Sequence, residues 1–341
     1  MTNASAWVDR TVSQSRDQAT PRDDASAQVA SRRDALSVTP PYRLDLTASA
    51  LRRLPSNVVD VLTPDGAYLR VLAGAHGHVV VHVSQTGPTR LELLITGDVR
   101  DHAVARDAAR RMLGVRCDLT SFDRASARIP WLAPLARRMR GLKPPRYACL
   151  WEAFVNAIVF QQVSLAAASA ITQRLVVALG APLLYAGVPL YVFPSAEQVL
   201  GADDALLHAT GLSASKRVTL RRVATAIVAG SMSERLLAAC TSPQAAARLS
   251  EIKGIGPWSA AVILLRGLGR LDVFPANDSS VRRNIVMMAP SQRVDLVRTV
   301  AALQPQQGLL YYHLLLARLE ARGGLGAASV SALGRAPAIS S

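Results

Sequence analysis

The sequence predicts an α+β protein in which a small antiparallel-sheet N-terminal domain precedes a mostly α-helical domain. Three observations carry this expectation. Between residues 39 and 97 short β-type runs alternate with turn residues. Beyond residue 131 apolar side chains recur mainly at helical spacing. The 341-residue chain is 50% hydrophobic yet only 5% aromatic, and it is rich in Ala and Leu, a composition that suits packed helices and is long enough for two folded units.

Residues 1–39 are rich in Ser, Ala, Arg and Asp with few large apolar side chains, so they read as a disordered tail. Asp9, Asp17, Asp23, Asp24 and Asp34 argue against an acid-poor transit peptide. Residues 40–130 are expected to form the α+β unit. Its strand-like runs at 58–62, 68–72, 79–83 and 91–95 are separated by Pro64-Asp65-Gly66, His76-Gly77 and Thr86-Gly87-Pro88, the pattern of a meander. A helix is predicted at about 99–113. His76, His78 and His82 lack an acidic or Cys partner at useful spacing, and read as solvated or cross-strand histidines rather than metal ligands.

The helical domain is expected over 131–322. Its first segment carries Arg137, Arg138, Arg140, Lys143 and Arg146, either a solvated helix face or a phosphate contact. Helices at 150–160 and 164–179 meet at Gln161-Gln162-Val163-Ser164, where Ser164 reads as an N-cap and two amides need partners. Ser195 with Gln198 forms a capping box, and Gly211-Leu212-Ser213 interrupts the helices before Lys216, Arg217, Arg221 and Arg222.

The stretch 249–283 then holds a short helix, the turn Gly254-Ile255-Gly256 with Pro257, an apolar helix from Trp258, and a loop ending at Asp278. Glycines allow positive φ and close approach of another molecule, and the free N–H groups of such a turn suit a phosphate oxygen. The bland alternative is a tight corner, with Asp278 merely the N-cap of the next helix. Residues 309–322 close the core, and 323–341 read as a second disordered tail.

The formal net charge of +15 points to a polyanionic partner, nucleic acid foremost, although an acidic membrane surface also fits. Cys117, Cys149 and Cys240 are too far apart in sequence for a CxxC metal site and too few for a four-Cys cluster, as expected of buried thiols in a reduced compartment. There is no apolar run of membrane-spanning length and no signal core. A cytoplasmic, nucleoid-associated protein without a membrane partner is therefore expected.

The helix, G-I-G turn, helix and loop ending at Asp278, the phrase AIVFQQVSLAAASAI at 157–171, and the order proline, helix, Gly-Leu turn and basic helix over 194–222 resemble the DNA-3-methyladenine glycosylase II (AlkA) type of the helix-hairpin-helix/Gly-Pro-Asp DNA glycosylase superfamily. The resemblance covers roughly residues 40–322. It implies a monofunctional enzyme that hydrolyses the N-glycosidic bond of alkylated purines such as 3-methyladenine in duplex DNA, after flipping the nucleotide out of the stack. Double-stranded DNA with damaged bases is the implied partner, and abasic-site repair enzymes act downstream. Asp278 is the implied catalytic carboxylate. The implied base pocket comprises Trp258, Gln161, Val262, Ser279 and Gln306, with Gln162 as the wedge and Gly254, Ile255, Gly256 and Ser259 on a phosphate. No cofactor or metal is required, though in this superfamily a monovalent cation often sits on the hairpin carbonyls.

The chemistry accords with one carboxylate. The sugar acquires oxocarbenium character, which a fixed carboxylate stabilises, and a base already cationic leaves with little acid assistance. Lys253 precedes the turn rather than occupying the Schiff-base position of the bifunctional members, so lyase activity is not expected. The chain departs from the best-known AlkA-type pattern at Gln162, where leucine is the wedge, at Val262 and Ser279, where tyrosines stand, and at Gln306, where a tryptophan stands. Fewer aromatic walls leave two alternatives open: a glycosylase for deaminated or oxidised bases, and a DNA-binding protein without chemistry on the same scaffold.

Overall fold

The computed structural model describes residues 29–326. The N-terminal unit is an antiparallel sheet of β1 (Val29–Ser37), β2 (Val61–Leu62), β3 (Tyr68–Ala73), β4 (His78–Gly87) and β5 (Arg90–Asp98), in the order β1-β5-β4-β3-β2. Helices α1 (Leu44–Arg52) and α2 (His102–Met112) cover one face, where Leu51, Ala105 and Met112 meet Leu72, Val79 and Leu93. Side chains of opposite parity, Leu69, Val71 and Val80, pack against Leu190 and Val192 on the other face.

Strand β1 corrects the expected tail at 1–39. Its sequence VASRRDALS carries no β-type apolar run, but it pairs with β5 from Val29↔Asp98 to Ser37↔Arg90. An edge strand exposes most of its side chains, and its charges guard against further pairing, so the usual alternation is weak. The rest of that tail, 1–28, and residues 327–341 of the second one lie outside the described residues. Residues 324–326 are fastened: Arg52 donates to the carbonyls of Gly324 and Gly326 at 2.9 and 2.6 Å.

The helical part continues with α3 (Thr120–Ser126), α4 (Ala133–Arg138), α5 (Leu150–Val159) and α6 (Leu165–Leu179). A hairpin, β6 (Pro182–Tyr185) with β7 (Val188–Tyr191), leads to α7 (Ala196–Gly201), α8 (Asp204–Ala209) and α9 (Ala214–Val228). Next come α10 (Glu234–Ala238), α11 (Ser242–Ser250), α12 (Pro257–Arg266), α13 (Ser279–Met288), α14 (Leu296–Ala302) and α15 (Gly308–Glu320). Two cores result. One joins α5, α6 and α9 to α12; the other joins α3, α4, α13 and α15, and it includes Leu46 and Ala50 of α1. The expected boundary at residue 130 is thus misplaced, because Leu119 and Phe122 pack with Leu309 and Leu316 rather than with the sheet.

Buried ions lock the units together. Arg70 of β3 donates to Asp60 at 2.7 Å and reaches Glu152 of α5 at 2.5 Å, while the Tyr68 hydroxyl donates to Asp60 at 2.6 Å. Burial raises the Glu152 carboxyl, and Arg70 opposes that shift. Among the described residues no helix is long and apolar enough to cross a membrane.

Candidate active site

A cleft of about 1060 Å³ opens between the two helical cores. The break between α5 and α6, the α11–α12 turn, the N-terminus of α13 and one face of α15 line it.

Asp278 lines it and is only 8% exposed. It is the N-cap of α13, with Oδ1 accepting the Ser280 N–H at 2.7 Å. Its other oxygen, Oδ2, accepts the indole N–H of Trp258 at 3.0 Å. The N-cap and the cleft carboxylate are therefore one group, and the two readings of the sequence do not compete. The capped helix end also places positive partial charge beside the carboxylate.

Trp258 follows Pro257 in the first turn of α12 and lines the cleft half-buried. Val262, one turn later, forms wall at 2% exposure, and Ser279 lies exposed at the rim. Gln161 also lines the cleft, yet its amide donates to the Gly254 carbonyl at 2.9 Å and to Ser259 Oγ at 2.8 Å. Those donors hold the hairpin in place and do not face a base. Gln162 is exposed at φ +56°, a left-handed conformation that is costly for a residue with a Cβ.

Gln306 corrects an expectation, for it does not line the cleft. Its Oε1 accepts from Ser121 Oγ at 2.7 Å and the Phe122 N–H at 3.0 Å, and its Nε2 donates to the Asp118 carbonyl at 2.9 Å. It fastens the start of α3. Ile255 is a second correction: its side chain is 3% exposed and its N–H donates to the Ile252 carbonyl at 2.9 Å, so it anchors the turn and offers a phosphate nothing.

Of the other residues expected on a phosphate, Gly254 and Gly256 are exposed, whereas Ser259 is buried at 2% exposure with its hydroxyl accepting from Gln161. Gly254 lies at φ +105°, and a Cβ there would meet Thr219 Oγ1 at 2.2 Å, so both conformation and space require glycine. A Cβ on Gly256 would meet nothing within 4 Å, which leaves the backbone open to an outside molecule. Among the described residues the N–H groups of Gly256, Trp258 and Ser259 find no acceptor.

Packing adds residues that no sequence motif singles out. Arg53, at the end of α1 with φ +60°, is 6% exposed and lines the cleft. Its guanidinium lies 4.0 Å from the centre of the Phe160 ring, and among the described residues its Nη1 has no partner. Burial, and then the nearby Arg266 charge, lower its pKa. Phe160 and Tyr311 give the cleft aromatic wall beyond Trp258. The sequence predicts strands and turns over 39–97, so neither the helix Leu44–Arg52 nor Arg53 at its end is foreseen, and Tyr311 is only one position of the closing helix at 309–322.

Several basic residues prove to hold protein carbonyls instead of forming an open phosphate patch. The ammonium of the buried Lys143 donates to the Cys117 carbonyl at 2.7 Å, and Arg146 donates to the Gly267 carbonyl and to Glu234. Arg221 donates to the carbonyls of Leu200 and Ala202, and Arg222 to that of Lys253. His76, which has no acidic neighbour in sequence, lies 3.1 Å from Asp101, a carboxylate that also ties down the backbone of the β3–β4 turn.

Residues 155–300 match the family model described as HhH-GPD superfamily base excision DNA repair protein. A Mycobacterium tuberculosis protein named "Probable bifunctional transcriptional activator/DNA repair enzyme AlkA" is 32% identical over 73% of this chain and 50% of its own length. The chain thus spans about half the length of that relative. The Escherichia coli K12 "DNA-3-methyladenine glycosylase 2" is 26% identical over 75% of this chain and 88% of its own. The solved structure of a 3-methyladenine DNA-glycosylase from Archaeoglobus fulgidus superposes with a TM-score of 0.69, covering 84% of this chain and 98% of its own at 22% identity, a likeness of fold.

Proposed function

We propose that this chain, whose residues 155–300 match the HhH-GPD superfamily model of base excision DNA repair proteins, is a monofunctional DNA glycosylase that removes alkylated purines, 3-methyladenine first among them, from duplex DNA. The observation that carries the reading is the Asp278 carboxylate, held by Trp258 and Ser280 on the wall of an aromatic-lined cleft beside a turn of free N–H groups. A purely binding surface gains nothing from a nearly buried carboxylate turned toward a polyanion.

In this reading the N–H groups of Gly256, Trp258 and Ser259 hold a backbone phosphate, and the exposed Gln162 fills the space left in the stack. Extrusion costs roughly a few kcal/mol, least for a damaged base. The extruded base lies against Trp258, Phe160 and Tyr311, whose faces attract an electron-poor or cationic ring. As the glycosidic bond breaks, positive charge grows on the sugar, and Asp278 stabilises it in a site with little water. The same carboxylate orients the attacking water, which ends as the sugar hydroxyl. Hydrolysis asks for no cofactor, and the abasic product requires a strand-cutting activity downstream. A DNA substrate would place the protein with the nucleoid.

The hairpin fits a monovalent cation through carbonyls that the protein leaves free. Those of Ile252, Lys253 and Gly254 accept from Ile255, Arg222 and Gln161, whereas those of Ser250 and Ile255 accept nothing from the described residues. Such an ion would brace the turn and add positive charge near the phosphate.

Arg53 favours a second reading. A buried guanidinium whose Nη1 has no hydrogen-bond partner among the described residues disfavours a cationic ring and suits a base that presents a keto oxygen or ring nitrogen, as deaminated and oxidised bases do. The test is release of free base from methylated duplex DNA and from duplexes carrying hypoxanthine or 8-oxoguanine, resolved chromatographically. Release of 3-methyladenine alone supports the first reading, and release of a neutral lesion supports the second. Duplex binding without release of any base refutes both.

A further inference from the structure

Two elements of the cleft, the break that carries Gln162 and the Gly254–Gly256 turn, come from distant parts of the chain, and one helix touches both. On α9, Lys216 donates from Nζ to the carbonyls of Val159 at 2.9 Å and Gln161 at 2.8 Å. Three residues on, the Thr219 side chain occupies the space that a Cβ on Gly254 would need. Three further on, Arg222 donates from Nη1 to the Lys253 carbonyl at 2.8 Å. Spacing by threes puts all three side chains along one stripe of the helix.

Charge suits this arrangement. The Lys216 ammonium sits at the C-terminal end of α5, where carbonyls without intrahelical partners concentrate negative partial charge. Gln161 closes the circuit, since its backbone carbonyl is held by Lys216 while its side chain grips Gly254 and Ser259. Gln162 must be held in its left-handed conformation from outside, because a non-glycine residue does not favour it.

We infer that Lys216 is a positioning residue, which with Thr219 and Arg222 fixes the spacing between the Gln162 break and the Gly254–Gly256 turn. The phosphate held by the turn and the side chain entering the stack are thereby kept in register. This rests on the glycosylase reading, but Lys216 is assigned no contact with the base. Its effect falls on extrusion, before the bond is cut.

The test uses the full chain with Lys216→Met, which keeps length and removes the donors, and Lys216→Arg, which restores donors and charge. Extrusion is followed by the fluorescence of 2-aminopurine in a duplex, and excision by single-turnover release from methylated duplex DNA. Lys216→Met is expected to keep affinity for undamaged duplex within about twofold while extrusion and release both fall about tenfold, as the loss of charged hydrogen bonds would give. Lys216→Arg recovers most of the loss. In a Gln162→Ala background Lys216→Met should cost little more, because both act on one step.

An undiminished tenfold cost in that background overturns the inference. So does a loss of duplex affinity and melting midpoint in step with release. Arg222→Met, at an exposed position, guards against a Lys216 variant that fails to fold: it too should slow extrusion, and unchanged extrusion overturns the registration. If wild type releases no base, the enzymatic reading fails, while the fluorescence still reports whether Lys216 governs extrusion.

Discussion

Asp278→Asn is the natural test of the site, and the structure predicts that it is not a silent replacement. The carboxylate accepts from two donors, the Ser280 N–H on Oδ1 and the Trp258 indole on Oδ2. An amide accepts with only one of its two end atoms. Whichever way the substituted amide is turned, its NH₂ confronts a donor, either the indole or the helix-capping N–H. A hydrogen bond to a charged group is worth about 1.5–3 kcal/mol, and a buried donor left unmatched costs about 1–3 kcal/mol. With Trp258 half-buried, the loss should be about 2 kcal/mol.

Trp258→Phe removes the conflicting donor, so the double variant should be more stable than the two single losses predict, by about 1–2 kcal/mol. Urea denaturation of wild type, both single variants and the double variant measures this directly. Release from methylated DNA, at a temperature where all four remain folded, should fall by about 100-fold or more in each variant lacking the carboxylate. Stability losses that add to within about 0.3 kcal/mol would refute the energetic role of the Trp258–Asp278 bond. Near-normal release by Asp278→Asn would refute the catalytic assignment.

Other outcomes follow from the same geometry. Gly254→Ala should lower stability by about 1–2 kcal/mol or more, because it combines positive φ with overlap on Thr219, whereas Gly256→Ala should melt like wild type and weaken only duplex binding. Equal melting shifts in the two would count against this account of the turn. Arg70→Met leaves Asp60 and Glu152 buried without their cation and should cost about 3–5 kcal/mol in urea denaturation, against little change if the cluster were solvated. Burial holds the His313 imidazole down at about 4, so the unfolded chain binds the extra proton between that value and the ordinary 6.5. Stability should therefore decline by up to about 3 kcal/mol as pH falls through that window, and His313→Leu should flatten the decline.

Local chemistry made much of the chain legible from sequence. Ser164 caps α6, and Ser195 with Gln198 closes a capping box on α7, as their spacing predicts. The strand-like runs of the first domain form β2 to β5, although the first shrinks to Val61–Leu62. Gly254 takes positive φ in its turn, and Asp278 caps the helix that follows it. These features depend on backbone preference and hydrogen bonds reaching only three or four residues, a range that the order of side chains encodes directly.

Tertiary packing decided the rest. Whether a glutamine lines the cleft depends on which distant polar groups lie within reach: Gln161 meets the hairpin and Gln306 meets α3, and nothing near either residue in the sequence distinguishes them. Arg53 and Tyr311 reach one cavity from opposite ends of the chain because α1 and α15 share a core. Strand β1 exists because β5 had an edge to pair, not because its own residues demand extension. Sequence therefore determined most of the helices and the inner strands with their caps, whereas strand β1, the lining of the cleft and the use of its charges were decided by contacts between residues far apart in the chain, which no local periodicity records.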